Sequence, residues 1–136
     1  MATIPVNEIA LFRVRGIVAT STGTTTLFTS SGPGQLEYFF PLLFHVSVGS
    51  IGVLVTPPTI SVGTSFGGAP YTDIIPATAL TGMTLNGQAR VLGPTHTAVH
   101  NSVPINIDVI LNVSVSAVAA DYKLQCTIIG FFAPAP

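Results

Sequence analysis

Tryptophan is absent from this chain, and charge is scarce. Four basic and five acidic residues occur among 136 positions, 7% of the whole, where an average soluble protein carries about 25%. The cations are Arg13, Arg15, Arg90 and Lys123. So few cannot neutralise a run of phosphates, and no nucleic-acid partner is expected. A single cysteine, Cys126, excludes an intrachain disulfide. Its place in an alternating apolar run makes it a buried, inert thiol. No basic segment followed by an apolar stretch opens the sequence, so no secretory leader is expected in this chain.

Hydrophobic residues are nevertheless 48% of the chain, and the mean hydropathy is +0.67. Small neutral polar residues hold the places that Lys and Glu usually fill. With a formal net charge of -1, little electrostatic repulsion keeps such a molecule monomeric, and an intimate assembly is one way to cover its neutral surface. The length suits one domain with a real core, burying roughly 68% of the unfolded chain's surface. The stretch "YFFPLLFHVSVGSIGVLV" (38–55) is long enough to cross a bilayer as a helix. Pro41, His45, Ser47, Gly49, Ser50 and Gly52 interrupt it, and the remainder is Val, Ile and Phe, which reads as strand, turn, strand. An outer-membrane barrel would need aromatic girdles, and three Tyr without Trp do not supply them. No membrane partner is expected.

Period-two alternation dominates what is present. In "VPINIDVILNVSVSAV" (103–118), Ile105, Ile107, Val109, Leu111, Val113 and Val115 share one face, with Asn106, Asp108, Ile110, Asn112, Ser114 and Ser116 opposite. "YKLQCTIIGFF" (122–132) sets Tyr122, Leu124, Cys126 and Ile128 against Lys123, Gln125, Thr127 and Ile129. The spacing predicts that these two runs form an antiparallel hairpin. In "IALFRVRGIVAT" (9–20), Phe12, Val14 and Val18 fall on one face and Arg13 and Arg15 on the other. Further strands are expected at 26–29, 36–48, 50–56, 59–63, 77–82 and 88–93. Pro41 marks an edge or a bulge, and Asn86-Gly87 a tight turn. No segment keeps a helical period. About eight to ten short strands with regular turn signals imply an all-β antiparallel two-sheet sandwich, best matched by a jelly roll. Extended segments at about 1–8 and 133–136 are expected to flank one domain.

Catalytic chemistry is hard to find. Glu8, Glu37, Asp73, Asp108 and Asp121 do not pair on any one strand face. His96 and His100 have a spacing that suits zinc on a helix, but in an extended chain they lie roughly 13 Å apart. His45 reads as a structural residue. Neither a P-loop nor a G-x-S-x-G stretch occurs, and "SFGGAP" (65–70) does not open a helix, so it reads as a surface loop. No catalytic residue, metal ligand or cofactor is expected.

The segment "ISVGTSFGGAPYTDIIPATALTGM" (60–83) resembles a recurrent segment of small virion proteins of tailed phages. Its marks are an S-x-G-T strand end, a polar loop, an aromatic-x-Asp-Ile-Ile element and an A-T-x-L-T-G strand. The downstream order is similar too: Gly93-Pro94, the long alternating strand 103–116, the short turn Ala117 to Asp121, and a last strand ending in "IIGFF" (128–132). The likeness covers about 36–132, and residues 21–35 have no counterpart in it. It implies a jelly-roll decoration (cement) protein on the capsid exterior, bound to the major capsid protein and forming a homo-oligomer, with a cyclic trimer suiting threefold positions. A fibre or receptor-binding module that recognises glycans is the alternative, resting on Tyr71 and Asp73. A non-viral structural or adhesin module is the third reading. No functional residue carries over, because the role of such proteins lies in surfaces. Interface cores are poor in charge and rich in aromatics. The candidates here are Leu43, Leu54, Ile110 and Ile129, opposite the expected core faces, together with Arg13 and Arg15. Ile4 and Val6 join them from an N-terminal segment reaching to a neighbour.

Overall fold

The computed structural model describes residues 8–29, 37–94, 103 and 107–134. Ile105, expected in the core, lies outside them. Ten strands form within this set: β1 (Glu8–Val18), β2 (Gly23–Thr29), β3 (Glu37–Ile51), β4 (Leu54–Thr56), β5 (Thr59–Thr64), β6 (Ile75–Ala79), β7 (Ala89–Leu92), β8 (Asp108–Val115), β9 (Val118–Ala119) and β10 (Tyr122–Pro134). The first sheet has the order β1-β10-β3-β7 and the second β2-β8-β5-β6, with β4-β9 as a small pair. All neighbours are antiparallel. The chain passes from one sheet to the other at nearly every step, and this winding makes the expected sandwich a double-sheet jelly roll.

The alternation in the sequence explains the core. In the first sheet, Ile128 lies between Phe12 and Phe44, Cys126 between Val14 and Val46, and Leu124 between Ile17 and Val48. Val109, Leu111 and Val113 face them from the second sheet, all buried, with Ile107 packed against the cluster. Each fully buried side chain of this kind contributes about 1.5–3 kcal/mol relative to exposure. At one end Phe12 stacks on Phe28 of the other sheet at 3.8 Å, and Phe39 meets both rings edge-on at 5.9 and 4.9 Å. Tyr122 is fully buried and donates its hydroxyl to the Met83 carbonyl at 2.6 Å. Burial raises its pKa above 10.0, with nearby Arg90 opposing, and burial pushes the Cys126 thiol up as well.

Several expectations are corrected, among them Val115, which was expected on the core face and is 55% exposed. The runs 103–116 and 122–132 do not pair: β8 and β10 sit in facing sheets. Ala117 donates its amide to Ala19, and Ala19 to Tyr122, as the chain crosses over. One alternating pattern serves a hairpin and two facing sheets equally, so periodicity alone cannot choose. Val18 is 50% exposed, and Ile17 and Ala19 take the core positions. A bulge between Val14 and Ile17 shifts the register, with Gly16 at φ 70, and one extra residue exchanges the two faces of the strand beyond it. The expected strands 36–48 and 50–56 are not separate: β3 runs unbroken over Glu37–Ile51. It absorbs Gly49 and Leu42 at two register shifts against β10. Pro41 sits beside the second of these, at a bulge as its missing donor requires. The Asn86-Gly87 turn forms with Gly87 at φ 85, closed by the Gln88 amide on the Leu85 carbonyl. β10 runs on to Pro134, two residues into the expected tail.

Candidate assembly interface

The two outer faces of the sandwich differ. On the second sheet, residues 64–73 fold back as a compact loop. Asp73 anchors it: its carboxylate accepts the Thr64 amide at 2.7 Å and the Thr64 hydroxyl at 2.5 Å, while the Gly67 amide donates to Thr64 Oγ1 at 3.0 Å. The Gly68 carbonyl accepts the Tyr71 amide across the cis Ala69-Pro70 bond, the arrangement of a type VI turn. The Pro70 carbonyl then accepts from Ser61 Oγ at 3.2 Å and Asn112 Nδ2 at 3.1 Å, pinning the loop onto β5 and β8. Gly63 has no side chain because the Tyr71 backbone and the Asp73 carboxylate occupy that space. Ser61 and Thr64 are buried beneath. Ile110, beside Gly63 in the ladder, is only 8% exposed. It is therefore not an accessible contact, as its polar-face position in the sequence implied.

The outer face of the first sheet carries no such cover among the described residues. The register of β1, β10 and β3 sorts it into rows. Ile9, Phe131 and Phe40 form one; Leu11, Ile129 and Leu43 the next; Arg13, Thr127 and His45 the third, with Val91 of β7 beyond; then Gln125 and Ser47; then Lys123 and Ser50. Half of the face is thus apolar and half polar and basic. Ile9 is 70% and Leu11 53% exposed, and Val91 is also open. Phe40 and Phe131 stack across strands at 5.1 Å. Arg13 Nε donates to Thr127 Oγ1 at 3.2 Å.

Arg15 stands at the bulge, between two open grooves of about 440 and 300 Å³. The smaller is lined by Arg15, Gly16, Gly49, Ser50, Lys123 and Gln125. Lys123 Nζ stands 4.0 Å from Asp121, which also accepts the Ser50 hydroxyl at 2.6 Å. Arg15 makes no hydrogen bond or ion pair with any described residue.

Of the sequence candidates, Arg13, Arg15, Leu43 and Ile129 come together on this face. Leu43 and Ile129 are half-buried rather than exposed, because they lie in adjoining strands and shield each other. Leu54 is in β4, packed against the core rather than exposed. Ile4 and Val6 lie outside the described residues. Ile9, Leu11, Phe40 and Phe131 were missed. Running the Arg13–Arg15 alternation back two steps reaches Leu11 and Ile9. A second apolar patch lies around the small sheet, where Val53, Val55, Val115 and Val118 are each more than half exposed.

Among the described residues no three His, Cys, Asp or Glu side chains converge as metal ligands; His96 and His100 lie outside that set. None of the described residues forms a helix long and apolar enough to cross a membrane.

Two phage capsids contain this fold. A chain from the structure "Capsid of Ralstonia phage GP4" superposes with a TM-score of 0.61 at 14% identity, covering 100% of this chain and 92% of its own. A chain of the "Cyanophage Pam1 capsid asymmetric unit" gives 0.56 at 14% identity, covering 96% and 92%. No family model matches the sequence, and no curated protein does. At this identity the likeness establishes a shared fold, over essentially the whole length of each chain.

Proposed function

We propose that this chain is a structural virion protein: a decoration, or cement, protein that binds the lattice of the major capsid protein on the outside of a phage head and stabilises it. The observation that carries this reading is the whole-length match to chains of two phage capsids, at TM-scores of 0.61 and 0.56. The open apolar half of the first-sheet face supports it, since contiguous exposed apolar surface marks a contact. The reading comprises one sandwich domain with extended ends, Ile4 and Val6 contacting a neighbour, no cofactor and no catalysis. It also includes a homotrimer, for which the valine patch at β4-β9 is the natural contact.

The glycan-recognising fibre module has less to stand on. It needs Tyr71 and Asp73 as free ligands, and the Asp73 carboxylate is held by Thr64.

The test is the copy number in purified particles. Hundreds of copies, whose release lowers the temperature at which heads rupture, are expected. A handful at a vertex or tail, with glycan binding lost in Tyr71→Ala, would overturn decoration in favour of the fibre.

A further inference from the structure

The sorted face of the first sheet suggests what it meets. Three of the chain's four cations, Arg13, Arg15 and Lys123, stand on it, next to an apolar half built from Ile9, Leu11, Phe40, Leu43, Ile129 and Phe131. Arginine and aromatic side chains are the residues that most often dominate binding energy at interfaces. Arg15 also has no hydrogen-bond or ion-pair partner among the described residues, and stands at the edge of a groove that Ser50, Lys123 and Gln125 complete.

A second copy of this chain is a poor occupant. Face against face, two copies would bring like charges together. Among the residues whose side chains are described, the carboxylates that a second copy could offer from its other side already accept hydrogen bonds: Asp73 from Thr64, and Asp108 from the Thr29 hydroxyl at 2.7 Å. Asp121, on the face itself, is held by Ser50 and Lys123. We infer that this face docks onto a different protein, one presenting an apolar patch bordered by carboxylates, with one carboxylate seated in the groove between Arg15 and Lys123. On the decoration reading, on which this inference rests, that protein is the capsid lattice, and self-association uses another surface. Complementary charge then sets orientation and encounter rate, while the apolar rows set the lifetime of the complex.

The test measures rebinding of purified protein to heads that lack it, by co-sedimentation across a salt series. Arg15→Glu should weaken binding about tenfold or more and flatten its salt dependence, and Leu11→Asp should weaken it similarly. Arg15→Lys should recover part of the loss. Both residues are exposed, so thermal unfolding of the free variants should match the parent and exclude misfolding. Wild-type binding with unchanged affinity in both variants would overturn the face while leaving decoration intact. No wild-type binding at all would remove the decoration reading and this inference with it. A shift in the free protein's oligomeric state on Leu11→Asp, with head binding retained, would assign the face to a second copy instead.

Discussion

The two sheets bury inner faces of the same kind and treat their outer faces in opposite ways. The second sheet is roofed by its own loop, in which Asp73, Thr64 and the Pro70 carbonyl tie residues 64–73 to β5 and β8. The first sheet leaves Ile9 and Leu11 open, on the same face as Arg15, which has no partner among the described residues. One outer face is satisfied within the molecule. The other is left open among the described residues, and the proposed virion role would give it a cover.

Removing the roof should have the largest effect. Asp73→Ala strips charge-assisted hydrogen bonds from the Thr64 amide and hydroxyl, and the buried Thr64 then lacks its partner. A loss of about 2–3 kcal/mol is expected in denaturant unfolding, along with faster amide exchange through the loop. Gly63→Ala comes next. Its methyl group would collide with the Tyr71 backbone, so either the loop or the sheet must move, at about 1–3 kcal/mol.

A change in the core sets the scale between the faces. Tyr122→Phe leaves the Met83 carbonyl without its donor and should cost about 1–2 kcal/mol. It also tests the pH dependence. Tyr122 holds its proton above the ordinary pKa of 10.0, and Cys126 above 9.0. The unfolded chain therefore loses these protons first as pH rises. Stability is fully present below about pH 9 and falls progressively above it. The melting temperature should drop on that limb, less steeply in Tyr122→Phe.

The smallest effect belongs to the open face. Ile9→Asp and Leu11→Asp should change the stability of the free protein by no more than about 0.5 kcal/mol. A cost near that of Asp73→Ala would mean that the face is already covered within the free molecule, and the contrast between the sheets would collapse.

Much of this was legible in the sequence, for a physical reason. Period-two alternation reports which side of a strand is wet, so Val109, Leu111, Val113, Leu124, Cys126 and Ile128 could be assigned to the core. It does not report which strands share a sheet, so the alternation of β8 and β10 fits a hairpin as well as the facing sheets they occupy. It also fails beyond a bulge, and Gly16 moved the core position from Val18 to Ile17. Ile110 shows a third limit. A residue on the polar face becomes buried when a loop returns over it, and nothing local to β8 announces the loop at 64–73. The open face was half visible: Arg13, Arg15, Leu43 and Ile129 could be named singly. Their adjacency needed the register of three strands that lie far apart in the chain.

Hydroxyl-radical footprinting of the protein free and on intact particles tests the central claim most directly. Leu11, Ile129 and Phe131 should lose most of their reactivity on the particle, while Phe66, exposed on the roofing loop, should keep its own. Protection of Phe66 with Leu11 and Phe131 unchanged would contradict the account.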